Sequence, residues 1–465
     1  TRGSMHYDIA IIGAGMSGLA AGIRLAHYDK SVCILERHSI PGGLNSYYRR
    51  QGIPFDVGLH AVTNLPDAKN KRAPLNRLLR QLRLRRDDLD ICEQTFSTIA
   101  FPDSQLIFTN DVEDLCSSVA DVFPREIDGF RALISLVREN DSFTLSTAGG
   151  SARERLAELI RDPVLNDMIL CPLMFYGNAR EHDMDFNQFC IMFESLFFEG
   201  FWRPAIGVRQ IIDLLTNRYR ACGGELLLRK GVRQIRVDAG SATALELDDA
   251  SEISVGAVLS SAGYPETMAM CDAGEGDGGE HPAGELGFVE SIFVLNQPAR
   301  DFGLNASIEF FSESRHFHYG RPNDLVDFSS GVICAPRNFA VPDDERSTAH
   351  MVRLTHLADY GQWFSLAPDA YAERKNDVLV HQRRWLDSRH PGLTEAIIAT
   401  DMFTPKTIKR YTGHINGTVY GSPVKCLDGT TPIDNLFICG TDQGFLGIVG
   451  AMLSGVSMAN LHLMR

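Results

Sequence analysis

The sequence predicts an α/β fold whose principal sheet is assembled from distant parts of the chain, with a mixed α+β part inserted between them. Two observations predict it. "DIAIIGAGMSGLAAGIRLA", Asp8 to Ala26, reads as a short apolar strand, a glycine-broken turn and a helix. "NLFICGTDQGFLGIVGAMLSG", Asn435 to Gly455, repeats that shape close to the other end of the chain. Units of the same kind at both ends, separated by long stretches of different character, imply one layered domain built from discontinuous segments.

Composition sets the outer limits. With 465 residues, 44% of them hydrophobic and 22% charged, the chain can bury one large core or two joined ones. Its formal charge is 45 − 59 = −14, which disfavours a nucleic-acid binder, because phosphate neutralisation needs a basic surface. No run of eighteen apolar residues is present, so no membrane-spanning segment is expected. The opening "TRGS" before Met5 reads as a cloning remnant with no signal peptide after it. Ten cysteines lie scattered without C-x-x-C spacing, which gives no metal site and fits reduced thiols in a cytoplasmic setting.

The first unit carries the sharpest chemistry. Its isoleucine-rich strand, Asp8 to Ile12, is of the kind buried on both faces. Gly13, Gly15 and Gly18 continue it with G-x-G-x-x-G spacing. The first suits a tight turn, the second admits a pyrophosphate close to the backbone, and the third lets helix and strand pack closely. Ser17 lies within the same turn, where free N–H groups and the positive helix end favour phosphate. A second apolar run, "SVCILE", ends at Glu36, eighteen residues beyond Gly18 and suited to accept hydrogen bonds from a ribose diol. Strand, turn, helix, strand and acid together form a Rossmann-like dinucleotide fingerprint.

The residues after Glu36 select among dinucleotides. "RHSIPGGLNSYYRRQGIPFDVGLHAVT" resembles the segment after the second strand in the amine-oxidase and phytoene-desaturase superfamily of FAD enzymes. That resemblance implies FAD, with Gly42 and Gly43 wrapping the pyrophosphate and a strand carrying Asp56, Gly58 and His60 beside the flavin. The family's usual arginine after the glycine pair is Leu44 here, and Asn45 or Arg37 is the expected replacement. "GVRQIIDLLTNRYRACGGELLLRKGVRQIRV", Gly207 to Val237, is similar to the family's central helix, strand and turn, and implies that the backbone of Val232 holds the adenine. "AVLSSAGYPET", Ala257 to Thr267, matches the strand that returns to the nucleotide domain. The C-terminal unit resembles the family's closing motif, implying that Gly440 and Asp442 meet the pyrophosphate and ribityl chain. Gly447, Ile448 and Val449 would bring backbone N–H groups to the flavin.

"FTPKTIKRYTGHINGTVYGSP", Phe403 to Pro423, is similar to the corresponding block of carotenoid isomerases, retinol saturases and bacterial phytoene desaturases. On that resemblance the chain is expected to be an FAD-dependent oxidoreductase. It would desaturate, saturate or isomerise carbon–carbon bonds in an apolar, polyene-like or acyl substrate. The alternatives are a flavin-dependent oxidase of an amine or amino-acid-derived metabolite, and a non-catalytic flavin scaffold. The expected division is FAD-binding parts at 5–62, 205–265 and 401–465, with substrate-binding parts at 63–204 and 266–400. His60 and Lys406 are the candidate catalytic side chains, each weighed against a core histidine and a surface lysine.

Three further stretches stand out. "FNQFCIMFESLFFEGFW", Phe186 to Trp202, holds seven aromatic residues and serves either as core or as the wall of a long apolar pocket. Residues 69–86 are strongly basic, with Leu75, Leu78, Leu79 and Leu82 at helical spacing. They form either a solvated helix packed by its leucines or a docking surface for an anionic membrane or acidic carrier protein. "GEGDGGEHPAGE", Gly274 to Glu285, reads as a mobile, functionally silent loop.

Overall fold

The computed structural model of the chain describes residues 5–28, 30–140, 149–272, 280–343 and 349–464. Two seven-stranded sheets organise it, and the first is built from segments far apart in sequence. Strand β1 (Met5–Ile12) lies at its centre, parallel to β2 (Val32–Glu36) on one side and to Glu252–Ser260 on the other. Glu225–Leu228 extends the sheet beyond β2, also in parallel. On the far side, the edge of Glu252–Ser260 is shared. Ser241–Leu247 pairs with its first half antiparallel, and Leu436–Ile438 pairs with its last three residues in parallel. The C-terminal unit thus enters the sheet through a gap left by the strand ahead of it. β2 is buried at all five positions, as its unbroken apolar run predicts.

Helix α1 (Met16–Ala26) and the C-terminal helix Gly447–Met458 pack together over this sheet. A Cβ on Gly455 would sit 2.0 Å from the Ser17 carbonyl oxygen, and one on Gly18 would sit 2.0 Å from the Gly13 carbonyl oxygen. Two glycines therefore stack the closing helix on α1 and α1 on its own turn, with backbone against backbone. The small residues of "GIVGAMLSG" permit that approach.

The second sheet is mixed. Its order is Ile397–Phe403, Gly287–Leu295, His350–Ala358, Val326–Cys334, Ile308–Ser312, Ser97–Phe101 and Ser104–Phe108. Every pair is antiparallel except Ile308–Ser312 with Ser97–Phe101. A set of helices between 112 and 198 shares a core with part of it. The aromatic stretch lies there. Phe186, Phe189, Phe193, Phe197 and Phe201 are buried in that core, the first four with rings spaced 4.9–5.7 Å from neighbour to neighbour. Its core reading is the one the fold uses.

The basic segment forms helix α2 (Pro74–Leu82), and its four leucines are buried. They pack into the core that α1 and the C-terminal helix share, so the apolar face is consumed inside the fold. Residues 273–279 lie outside the described residues, which removes the first half of the glycine-rich acidic stretch. Its last residue is engaged, because Glu285 accepts hydrogen bonds from Tyr360 Oη at 2.8 Å and Arg321 Nη1 at 3.3 Å. No helix among the described residues is long and apolar enough to cross a membrane.

The close helix contact generates a stability prediction. Gly455→Ala places a methyl against a carbonyl that a packed helix cannot withdraw, and overpacking of this kind costs about 1–3 kcal/mol. The thermal midpoint of the variant should fall by several degrees in calorimetry, and a midpoint equal to the parent's would show that the two helices are free to separate.

Candidate functional site

A cavity of about 590 Å³ runs from the first glycine turn to the face of the second sheet. Of the positions singled out in the sequence, Gly13, Gly15, Glu36, Arg37, Gly42, Gly43, Leu44, Asn45, Gly58, His60, Val232 and Gly447 line it. Ser17, Gly18, Gly440, Asp442, Ile448, Val449 and Lys406 do not.

At the glycine-turn end, helix α1 begins at Gly15 with no side-chain cap, so its first N–H groups are left for a ligand. A Cβ on Gly15 would point into open space, and the chain crosses back beside it through a bridge between Gly15 and Gly42. Gly42 donates its N–H to the Ala14 carbonyl at 2.8 Å, which folds the Gly42–Gly43 pair against the turn. Glu36 is buried, and its two oxygens already accept 2.8 Å bonds from the backbone N–H groups of Ala14 and His38. A carboxylate has about four lone-pair directions, so capacity remains on the cavity side. An uncapped helix start, a backbone cradle without side chains and an anchored acid together fit a dinucleotide.

Glu266 also faces this end, a residue that sequence reasoning missed. It accepts the Ile415 N–H at 2.9 Å, and burial pushes its carboxyl above the usual range.

The C-terminal unit contributes differently from its reading in sequence. Asp442 is 3% exposed, and its two oxygens accept the N–H groups of Tyr264 and Ser422 at 2.7 and 2.8 Å. It binds the loop at 413–430 to the strand that returns from the first sheet, behind the cavity wall. Gly440 donates to Ser454 Oγ at 2.7 Å, also behind the wall. Gly447 does line the cavity, at the uncapped start of the C-terminal helix, but crowding does not explain it. The nearest atom to a Cβ there would be Thr63 Oγ1 at 3.8 Å, and the constraint is its φ of 76°. Two uncapped helix starts therefore open onto one cavity.

Against the second sheet the cavity wall forms an aromatic chamber. Phe175, Tyr176, Phe288, Phe310, Phe403 and Tyr420 line it, while the aromatic stretch 186–202 supplies none of the lining. Phe201 stands one layer behind, stacked on Tyr176 with ring centres 5.5 Å apart.

Below His60 lies a cluster of buried charge that the sequence did not reveal. Asp56 pairs with Arg203, and Asp56 Oδ1 also accepts the Val208 N–H at 3.0 Å. Arg203 Nη1 donates to the carbonyls of Leu59 and His60 at 3.1 and 3.0 Å. Arg353, 1% exposed, pairs with Glu290 through Nε and donates from Nη1 to the Asp56 carbonyl at 2.9 Å. His60 Nε2 stands 3.2 Å from Glu290 Oε1. Burial alone would raise the Glu290 carboxyl, but Arg353 and His60 outweigh it and hold the group down at about 2. A lone acid in "GFVESIFVL" and a lone arginine in "HMVRLTHLA" were the available signals, since an isolated charge in an apolar strand needs a partner.

Lys406 is placed elsewhere. Its ammonium donates to the Leu366 carbonyl at 2.7 Å and lies over the Tyr371 ring, 4.9 Å from its centre. That tether holds it outside the cavity lining, away from where a catalytic side chain would stand.

Comparison with known proteins agrees with this architecture. Residues 11–82 match the family model of an NAD(P)-binding Rossmann-like domain. A chloroplastic prolycopene isomerase of Arabidopsis thaliana is 25% identical, covering 98% of this chain and 83% of its own. All-trans-retinol 13,14-reductase of Danio rerio is 23% identical, covering 98% and 86%. A lycopene-forming phytoene desaturase of Pantoea ananas is 23% identical, covering 97% and 98%. In fold, an oxidoreductase from Methanosarcina mazei superposes with a TM-score of 0.69 at 16% identity, over 98% of this chain and 100% of that one. The chain is a distant homologue of prolycopene isomerases, the retinol reductase and phytoene desaturases along its whole length.

The buried cluster makes stability depend on pH in a defined direction. The folded carboxyl of Glu290 binds its proton less tightly than an unfolded one, whose value is 4.5. Its stabilising contribution is therefore complete above about pH 4.5 and disappears as pH falls towards 2. Unfolding measured across that window should show a steeper acid loss for the parent than for Glu290→Gln, and parallel profiles would show that the pair contributes nothing.

Proposed function

We propose that this distant homologue of carotenoid isomerases, desaturases and a retinol reductase is an FAD-dependent oxidoreductase. It desaturates, saturates or isomerises carbon–carbon bonds of an apolar, polyene-like or acyl substrate. The observation that carries the reading is the continuity of one cavity from a dinucleotide cradle into an aromatic chamber. A cofactor seated at one end thereby meets an apolar chain at the other without crossing water.

Each part of the wall has a task under this reading. The uncapped start of α1, with Gly15 and Gly43 beside it, receives the pyrophosphate. Glu36, held by Ala14 and His38, offers its remaining lone pairs to the ribose hydroxyls. Val232 lines the adenine end, and Arg37, Leu44 and Asn45 stand beside the path between. Bound there, FAD supplies a two-electron acceptor or donor. Gly447 and the helix start behind it direct backbone N–H groups and a positive dipole end towards that redox centre. The aromatic chamber aligns the substrate chain and excludes water. His60, with Glu290 at its Nε2, takes or gives a proton at the chamber wall.

The exposed face of α2 and its flanks, with Lys69, Arg77, Arg80 and Arg83, remains open to solvent. Docking on an anionic membrane or an acidic carrier would use that charge alone, since the leucines are buried.

The cofactor assignment is tested directly. The purified protein should be yellow and release free FAD on denaturation; NAD alone, or no nucleotide after reconstitution with FAD, overturns it. Glu36→Gln keeps an oxygen for the turn but loses the charge and one acceptor. FAD affinity of the apoprotein, read by fluorescence titration, should fall roughly tenfold. An unchanged affinity would limit Glu36 to holding the turn.

A further inference from the structure

In the first sheet, β2 flanks β1 on one side and Glu252–Ser260 flanks it on the other, all in parallel. The residues that follow these strands therefore stand at one edge of the sheet, with the glycine turn in the middle. Arg37 and His38 follow β2, and Glu266 lies in the first turn of helix Tyr264–Met270, which follows Glu252–Ser260. Segment 404–416 comes in from the second sheet and is fastened on both sides. His38 Nε2 donates to the Tyr411 carbonyl at 2.9 Å, and Arg37 Nη2 to the Arg410 carbonyl at 3.4 Å. Across from them, the Ile415 N–H donates to Glu266 Oε1 at 2.9 Å. The segment thus bridges the two strands beside β1, and Ile408, Thr412, Gly413 and His414 line the cavity on the way across.

The segment is built as a unit with a fixed root and a fastened tip. Thr404 and Thr407 cap the start of helix Pro405–Thr412, and Gly413 ends it with a φ of 81°. Gly417 folds back on that start, where a Cβ would stand 2.1 Å from the Pro405 carbonyl oxygen. The root is held to the second-sheet part, by Tyr371 Oη against Thr404 Oγ1 at 2.8 Å and by Lys406 on the Leu366 carbonyl. At the tip, Arg37 and His38 bind carbonyls of the last helical turn, which a helix leaves without internal partners. The His38 ring also lies beside that of Tyr411, with centres 5.0 Å apart.

From this geometry we infer that segment 404–416 is a strap across the bound dinucleotide, and that His38 and Glu266 are the residues that fasten it. The inference rests on the proposed cofactor and adds an opening step to its entry and exit. The fastening consists of hydrogen bonds and one ring contact at the protein's edge, so it can part while both sheets stay folded. A strap acts on rates. Opening precedes entry and exit alike, so the closed strap slows both and changes their ratio little. A residue that only touches the dinucleotide acts mainly on release.

The test compares FAD entry and exit in the full-length protein and two variants. His38→Ala removes one fastening; its side chain does not line the cavity, and the backbone N–H that holds Glu36 stays. Glu266→Ala removes the fastening on the other side. Association is read by mixing apoprotein with FAD and following flavin fluorescence. Release is read by diluting loaded protein and separating free FAD at intervals on a desalting column. His38→Ala should speed both rates by about fivefold, the margin of one hydrogen bond, and leave their ratio nearly unchanged. Glu266→Ala should speed both as well, and His38→Ala carries the test if that variant does not fold. Faster release from His38→Ala at an unchanged association rate overturns the strap and leaves an ordinary binding residue. Rates equal to the parent's in both variants also overturn it. Both of these outcomes leave the proposed function standing, whereas a parent apoprotein that takes up no FAD overturns that function and the strap with it.

Discussion

The buried charge cluster of Asp56, Arg203, Glu290 and Arg353 ties together the parts of the molecule that make the site. Asp56 ends a short strand that comes after the dinucleotide turn. Arg203 comes from the segment that leads out of the helical part, and Glu290 and Arg353 sit on adjacent strands of the second sheet. Arg353 reaches across to the backbone carbonyl of Asp56, so the two halves of the cluster are joined through main chain as well as through charge. Removing one partner of such a buried pair costs about 3–5 kcal/mol, because the other charge is left uncompensated. This bracing sets the position of His60. Its carbonyl is held by Arg203, and its ring faces Glu290. The glycine-turn end and the aromatic end of the cavity are in register because the same four side chains brace the segments that carry both.

The other constraint is backbone contact. Gly455 against Ser17, and Gly18 against Gly13, set the spacing of the two helices whose starts open onto the cavity. A helix start is useful to an anionic ligand only if its N–H groups are left uncapped and close to it. Both starts meet that condition, and neither has a side-chain cap. Arg37 is the only lysine or arginine among the described residues that line the cavity, so the backbone dipoles of the two helix starts add to a single side-chain charge there.

The features legible in the sequence were local ones. Strand, glycine spacing, helix and acid from Asp8 to Glu36 are set by periodicity and turn chemistry within thirty residues, and the structure builds them as expected. The return of the C-terminal unit to the same sheet was legible because that unit repeats the shape. Long-range pairing was not. Asp56 and Arg203 lie 147 positions apart, and nothing in either neighbourhood specifies the other. Nor does an acid beside a glycine turn announce which way it faces: Glu36 looks into the cavity, while Asp442 is engaged by two N–H groups behind it. Aromatic richness proved equally silent about depth. The stretch 186–202 packs one layer behind the wall, and the wall itself comes from aromatics scattered over separate segments.

These distinctions have a common physical origin. A buried acid faces the cavity or turns from it according to where the N–H groups it holds stand: those of Ala14 and His38 are at the cavity edge beside Glu36, and those of Tyr264 and Ser422 are behind the wall with Asp442. Asp442 closes a loop that has no ladder of its own. Glu290 stands on a strand paired on both edges, so its carboxylate is free of that duty. The second sheet can therefore present an ionised group to a hydrocarbon chamber at tolerable cost, with Arg353 beneath it in the same sheet. The pairing of Glu290 with Phe403 on one side and Thr355 on the other is what fixes a polar position at the chamber.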